Sequence, residues 1–529
     1  MLLLFLTLTL LLTFCNFIKA DIKTDIKEIL PNIIIFMVDD LGYGDLSAYG
    51  NPTISTPNID KFIQGKDNMD KANVLKQVVA ENSVCTPSRF SLLTGRHSIR
   101  GGMTDDYLRV LPSPSTSGGI PDDEILINEL LKKEKGYKSA HFGKWHLGIN
   151  KENSTDSHYI PTNRGFDYFY GLPFTNGFPC EGEQNNLLCF LYENNTIIEQ
   201  PLKFDNLTQR MTYKALDFIQ DVDKTPFYIN MWYAEVHTPL FTAPEYKGIS
   251  KRGSYGDAVY NVDWSIGEII NYIDSDSYLK ENTIIIITSD NGPFLEEEID
   301  GGSKGPLKGG KAQSWEGGYR VPFIFRYPLL GQIPTNNFMS HLDIFPTICD
   351  LVGITLPQDR IYDGYSLVNS WLFTLDNNQN IHIDMDKMDR TNRDRNININ
   401  ENEYIHGEFA YFCGSKLMSI RVDKYKITYM TQIWIDSNSQ SCPKYGSIGA
   451  CGCADGMVKS HDPPLIFDLE HDISEMYPLE MDRYLYLIVS KANKYRDYLI
   501  NSIIPVENQI QLPSEDYLQP CCNPPFCSC

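Results

Sequence analysis

The chain has 529 residues, more than one ordinary core accommodates, so a large domain and a smaller one are expected. Its 46 basic and 68 acidic side chains leave a formal charge of -22, with an isoelectric point near 4.9. That balance argues against nucleic acid as a partner and suits an acidic or extracellular compartment.

Leu2 to Ile18 is almost wholly apolar and is followed by Lys19-Ala20, the pattern of a secretory signal peptide over residues 1–20, cleaved before Asp21. No basic residue precedes the run and Ile18 is large for a cleavage site, so an uncleaved signal anchor stays open. No later segment is long and apolar enough to span a membrane. Next, Asn32 to Val38 is a continuous β-branched and apolar run, the pattern of a strand buried on both faces of a parallel or mixed sheet. It ends in Asp39-Asp40.

The run Cys85-Thr86-Pro87-Ser88-Arg89-Phe90-Ser91-Leu92-Leu93-Thr94-Gly95-Arg96 sets a cysteine at a proline-started helix. Pro87 suits a first helical turn, so Cys85 falls near the N-cap, where unpaired N–H groups and the positive dipole end attract anions. Arg89, four residues on, projects from the same face as an always protonated fork for an oxyanion. The plain alternative is a buried or disulfide-bonded cysteine beside a solvated arginine.

Lys138 to Phe142 is a second strand candidate, leading into Gly143-Lys144-Trp145-His146-Leu147-Gly148. Lys144 and His146 alternate by two, so an extended segment aims both at one side. Asn153, Asn194 and Asn206 begin N-x-S/T glycosylation patterns, which support the secretory route. Cys180 and Cys189 could close a short loop. Pro226 to Tyr233 is a third strand candidate and leads to Glu235-Val236-His237, while Val259, Val262, Ile266, Ile269 and Ile270 recur at helical spacing within Gly256 to Ile273.

Thr283 to Thr288 repeats the buried-strand pattern and ends in Ser289-Asp290-Asn291-Gly292. In open α/β sheets ligands bind beyond the carboxyl ends of the strands, so these four strand ends are expected to converge. Asp39, Asp40, Asp290 and Asn291 are then four hard oxygen donors, a set for calcium or magnesium rather than zinc, with calcium preferred. Read alone, Asp-Asp after a strand is a turn or a helix cap. Lys308 and Lys311 compete as the cation of Gly309-Gly310-Lys311-Ala312-Gln313-Ser314-Trp315-Glu316-Gly317-Gly318.

Residues 376–402 are rich in Asn, Asp and Arg, too polar to bury, and read as a surface insertion between a catalytic domain at 21–375 and a small domain at 403–529. Lys416 to Arg421 and Lys424 to Met430 suit a small antiparallel sheet. Of 13 cysteines, Cys15 leaves with the leader and Cys85 is assigned to chemistry, so the remaining odd number implies one free thiol or an intermolecular bond. The crowded C-terminal cysteines could hold zinc, although disulfides suit a secreted chain better.

The C-x-P-S-R run followed by L-T-G-R resembles the signature of the sulfatase family. The G-K-W-H-L-G string, Val236-His237-Thr238-Pro239 and the Lys311 segment resemble further motifs of that family. In it the active lysine precedes the aromatic-E-G-G element by four, which selects Lys311 ahead of Lys308. The resemblance spans nearly the whole mature chain. His461 to Leu469 and the closing cysteines look most like the arylsulfatase A and steroid sulfatase branch, and the absence of a membrane hairpin favours the arylsulfatase A type.

The resemblance implies an α/β, alkaline phosphatase-like fold, with a large mixed, mostly parallel sheet between helices and a smaller C-terminal domain on an antiparallel sheet. It implies that Cys85 is oxidised to formylglycine by the formylglycine-generating enzyme during secretion, and that the aldehyde hydrate attacks the sulfur of a sulfate ester. Asp39, Asp40, Asp290, Asn291 and the oxygen at residue 85 hold one calcium ion, with magnesium second. Arg89 is placed among the catalytic residues, and Asp290 assists deprotonation of the hydrate. Lys144, His237 and Lys311 bind sulfate oxygens, with His237 or Lys311 protonating the departing alcohol. His146 then takes a proton from the second hydroxyl, sulfate is eliminated and the aldehyde returns.

Two departures bear on substrate choice. Thr175, in Gly171-Leu172-Pro173-Phe174-Thr175, stands where close relatives carry a sulfate-contacting serine, and Thr428 aligns loosely with a pocket histidine. Two other readings remain at this point: a phosphonate or phosphodiester hydrolase using the same aldehyde, and an inactive secreted binding glycoprotein of the same fold. The expected location is the secretory pathway, lysosomal or extracellular, since Cys527-Ser528-Cys529 lacks a retention signal for the endoplasmic reticulum. A homo-oligomer is compatible with the sequence.

Overall fold

A computed structural model describes residues 30–67, 70–177, 180, 187–371, 408–433 and 451–529. The expected leader at 1–20 and the polar insertion at 376–402 lie outside these residues. The apolar run Asn32–Val38 is a strand buried along its whole length. Its alternate residues serve two cores, as a strand covered on both faces requires. Ile33, Ile35 and Met37 pack with Phe90, Leu92 and Leu93, and with Leu130 and Leu131 of the helix Ile127–Lys135. Ile34, Phe36 and Val38 pack with Met211 and Ala215 of the helix Leu207–Asp221 and with Val259, Val262, Ile266 and Ile269 of the helix Ser254–Ser275. Each such aliphatic side chain contributes about 1.5–3 kcal/mol of burial free energy.

Nine strands form the large sheet, in the spatial order Asn73–Val74, Phe323–Arg326, Thr283–Ser289, Asn32–Val38, Phe227–Tyr233, Lys138–Gly143, Tyr168–Gly171, Leu191–Glu193 and Thr196–Glu199. The five from Thr283–Ser289 to Tyr168–Gly171 run parallel, and the remaining pairings are antiparallel. Val38 pairs with both Ser289 and Tyr233, and Gly143 pairs with Trp232. Four neighbouring parallel strands therefore end at one level, and their carboxyl ends release Asp39-Asp40, Asp290-Asn291, Glu235 to His237 and Lys144 to His146 side by side. The convergence expected from the sequence is the observed arrangement.

A second sheet of four antiparallel strands, Glu408–Cys413, Lys416–Val422, Tyr425–Gln432 and Val458–Asp468, contains both segments anticipated as short strands. Ala410, Phe412, Ile420, Val422 and Ile427 bury one face of it against Leu485, Ile488, Val489 and Ala492 of the helix Arg483–Ser502. Thr428 is buried in this sheet and its hydroxyl accepts from Ser419 at 3.0 Å.

Disulfides join Cys180 to Cys189, Cys413 to Cys453, Cys521 to Cys527 and Cys522 to Cys529, and Cys451 is also disulfide-bonded. The zinc alternative for the C-terminal cysteines is therefore set aside for these residues. Among the described residues the free thiols are Cys85 and the buried Cys349, which supplies the odd cysteine. No described helix is long and apolar enough to cross a membrane.

Candidate active site

Cys85 opens the helix Cys85–Thr94, with Pro87 in its first turn and Gly95, at φ 67°, closing it in the left-handed conformation. All ten residues of this helix are buried. Its N-terminus meets the carboxyl ends of the central strands, where Asp39, Cys85 and Asp290 bring one ligand atom each within 4.8 Å of one another.

Arg89 lies one turn along. Its Nε and one terminal nitrogen donate to the same Asp290 oxygen at 3.1 and 2.7 Å, and its other terminal nitrogen donates to the Lys144 carbonyl at 2.9 Å. Its guanidinium also stands over the Trp232 ring, 5.4 Å from the centroid. The fork assigned from sequence to an oxyanion is thus taken up by protein acceptors, and Arg89 fixes Asp290 and the Lys144 backbone.

Lys144 Nζ pairs with Asp39, and Lys311 Nζ donates to Asp40 Oδ2 at 2.7 Å. Lys308 points elsewhere: it donates to the Glu475 carbonyl at 3.0 Å and stacks 3.5 Å from the Trp315 ring centroid. Gly292 and Gly317 let the two flanking loops touch by backbone, since a Cβ on Gly292 would lie 1.8 Å from the Gly317 oxygen. His237 Nε2 stands 3.8 Å from Asp40 Oδ2, while its Nδ1 donates to the Thr238 carbonyl at 2.5 Å. Asn176 donates to the His237 carbonyl at 3.0 Å, which brings the Thr175 turn alongside that histidine.

His146 reaches the site by a different route from the one its spacing suggests. It is not extended but left-handed, with φ 59°. Its Nδ1 lies 3.4 Å from Cys85 Sγ and its Nε2 lies 3.3 Å from the Leu111 carbonyl, which can only accept, so the proton belongs on Nε2 and Nδ1 faces residue 85 as an acceptor. Burial, then the charges of Lys144 and Arg89, hold this imidazole well below its ordinary pKa and therefore neutral.

Burial raises the Asp39 carboxyl, but Lys144 and Arg89 outweigh it and hold the group well below the usual carboxylate range. Burial and the neighbouring Asp39 charge push Asp290 up to about 7 against the pull of Arg89. Burial also pushes the Cys85 thiol up, so as a plain cysteine it is a poor thiolate. For Lys311, Asp40 outweighs burial and raises the pKa, while burial and Lys311 lower His237 to about 4.

The donor set fits a hard divalent cation. Asp39 Oδ1, 3.5 Å from an Arg89 nitrogen, and Asn291 Oδ1 are buried without a hydrogen bond, an arrangement that costs free energy unless a further cation or water satisfies them. Asp40 is turned toward its neighbours: its Oδ1 accepts from Asn291 at 2.7 Å, its Oδ2 from Lys311, and its amide donates to Asp290 Oδ1 at 3.2 Å. Sequence reasoning missed Gln432, whose buried amide binds the loop carrying Lys311; a glutamine 120 residues away in the chain carries no local signal of that contact.

A family model described as Sulfatase matches residues 31–354, and one described as the C-terminal region of aryl-sulfatase matches residues 405–529. An arylsulfatase of Hemicentrotus pulcherrimus is 35% identical over 520 residues, covering 93% of this chain and 85% of the relative. The steryl-sulfatase of Homo sapiens is 33% identical over 594 residues, covering 94% and 93%. The crystal structure of a sulfatase from Pseudoalteromonas sp. superposes with a TM-score of 0.69 at 25% identity, covering 92% of each chain. The catalytic sheet and the C-terminal sheet are both matched, the architecture is the alkaline phosphatase-like one of these enzymes, and the chain belongs to the sulfatase family as a sulfuric ester hydrolase.

Proposed function

We propose that the chain hydrolyses sulfate monoesters through a formylglycine made from Cys85, with a calcium ion held by Asp39, Asp40, Asp290 and Asn291. The observation that carries this reading is the convergence of Cys85 with Asp39 and Asp290 at a buried helix N-terminus. When hydrated, the aldehyde offers two hydroxyls on one carbon, one for attack on sulfur and one to expel sulfate. A serine has only one. A calcium ion, when bound, offsets the charge of the sulfate and of the attacking oxygen.

The protein groups have distinct tasks. Asp290, fixed by Arg89, takes a proton from the attacking hydroxyl. Lys144, Lys311 and His237 line the side facing Asp39 and Asp40, where sulfate oxygens meet the two ammonium groups beside the imidazole. His237 or Lys311, which both stand against Asp40, supplies the proton to the departing alcohol, and the charged Lys311 is the group that holds one to give. Thr175 adds a hydroxyl at the His237 edge. His146, with its Nδ1 aimed at residue 85 and its Nε2 tied to Leu111, takes the proton of the second hydroxyl.

The disulfides support an oxidising, secretory environment, lysosomal or extracellular. Asn153, Asn194 and Asn206 are exposed, as glycan acceptors must be. Burial of every residue in the Cys85–Thr94 helix means that an enzyme converting Cys85 acts before this helix packs. The proposed division places the catalytic domain at 21–375 and the small domain at 403–529.

Cys85→Ser in the secreted full-length protein tests the reading. Release of 4-nitrophenol from 4-nitrophenyl sulfate should fall to background while thermal unfolding stays native. Turnover retained by the serine variant would refute the formylglycine route.

A further inference from the structure

Lys311 stands on a loop that the C-terminal sheet holds by its backbone. Gln432, buried at the end of the strand Tyr425–Gln432, donates from Nε2 to the carbonyls of Ala312 and Cys451, both at 2.8 Å. Its Oε1 accepts from the amide of Ser314 at 3.1 Å and from the Ser314 hydroxyl at 3.0 Å. Both donors and both acceptor positions of one side-chain amide are thereby used, and the amide spans the loop on either side of Gln313.

The residue next to Lys311 makes this grip consequential. Ala312 has φ 65°, in the left-handed region that a residue with a Cβ rarely adopts. Its amide donates to the Ser83 carbonyl at 2.7 Å, two residues before Cys85. Its carbonyl receives Gln432 and, at 3.1 Å, Arg109. Farther along the loop, Lys426 donates to the Ser314 carbonyl at 3.1 Å and pairs with Glu316 at 3.2 Å and Glu475 at 2.9 Å. Glu475 in turn accepts from the Glu316 amide at 2.7 Å. Lys426, Gln432 and Glu475 all belong to the C-terminal region, whereas Lys311 and Cys85 belong to the loop and the helix that meet the large sheet.

We infer that Gln432 is a positioning residue for Lys311: it holds Ala312 in the left-handed turn that sets the Lys311 ammonium against Asp40, and so makes the C-terminal sheet part of the catalytic apparatus. The inference rests on the proposed catalytic role of Lys311. A purely architectural contact between the two sheets would not act through that one side chain.

A double-mutant cycle in the full-length secreted enzyme separates these cases. It compares the native protein, Gln432→Ala, Lys311→Ala and the pair, reading kcat and KM on 4-nitrophenyl sulfate. Misplacing a reacting group by about 1 Å costs on the order of a hundredfold in rate. Gln432→Ala should lower kcat by roughly tenfold to a hundredfold with KM little changed, and should cost nothing further once Lys311 is alanine. A native kcat for Gln432→Ala, or an equal loss in both backgrounds, overturns the inference while leaving Lys311 catalytic. A native kcat for Lys311→Ala overturns instead the catalytic reading of Lys311, and the inference with it. Should Gln432→Ala fail to fold, Gln432→Met takes its place in the cycle, since it fills a similar volume without charge and loses the donors to Ala312 and Cys451.

Discussion

Two nitrogens of Arg89 donate to a single oxygen of Asp290, at 3.1 and 2.7 Å, and neither side chain is exposed. Removing one member of a buried pair leaves an uncompensated charge and costs about 3–5 kcal/mol. Arg89→Ala should therefore lower stability by about that amount in urea unfolding and abolish turnover. Arg89→Lys, which keeps the charge but not the fork, should recover part of the stability and little of the rate. Native stability in Arg89→Ala contradicts the assignment.

Lys311 faces Asp40 and Lys308 faces Trp315 and Glu475, so the two lysines are expected to separate kinetically. Lys311→Ala should lower kcat by about a hundredfold to a thousandfold, and by more on an alkyl sulfate, whose leaving alcohol needs protonation, than on 4-nitrophenyl sulfate. Lys308→Ala should cost far less on either. Steady-state rates on the two esters decide it.

For metal removal, the oxygens of Asp39 and Asn291 that lack a hydrogen bond set the expectation. Chelation should abolish activity, and calcium should restore it. Calcium should also raise the unfolding temperature, since a ligand at a hundred times its Kd stabilises by about 2.7 kcal/mol. Asp39→Asn should shift the half-saturating calcium concentration upward by at least roughly tenfold. An unchanged calcium titration removes Asp39 from the ligand set.

His146 presents Nδ1 to residue 85 and anchors Nε2 on Leu111. If it serves the second half of the reaction, His146→Ala should release about one equivalent of phenol per active site in a rapid-quench experiment and then stall. A variant that loses the burst together with steady turnover places His146 in the first half instead.

Much of this arrangement is legible in the sequence because its determinants are local. Strands buried on both faces read as continuous apolar runs, and the fold places polar residues after four of them at adjacent carboxyl ends. Lys311 is singled out from Lys308 only by the resemblance to the family motif, and the structure sets its ammonium against Asp40. What was not legible depends on partners remote in the chain. Nothing near Arg89 announces that Asp290, 201 residues away, occupies its fork. His146 reaches residue 85 through a left-handed backbone rather than the extended segment its alternation with Lys144 suggests. The grip of Gln432 on Ala312 arises only when the second sheet docks, and the pairing of the C-terminal cysteines follows from chain geometry that spacing leaves open.

The proposed chemistry requires residue 85 to work as an aldehyde. Mass spectrometry of the tryptic peptide from Gln77 to Arg89, taken from protein made in its native secretory pathway, tests it most directly. The expected peptide has the mass of formylglycine at position 85 and is trapped by a carbonyl reagent. An intact thiol, alkylated by iodoacetamide in an enzyme that still turns over sulfate esters, would contradict it.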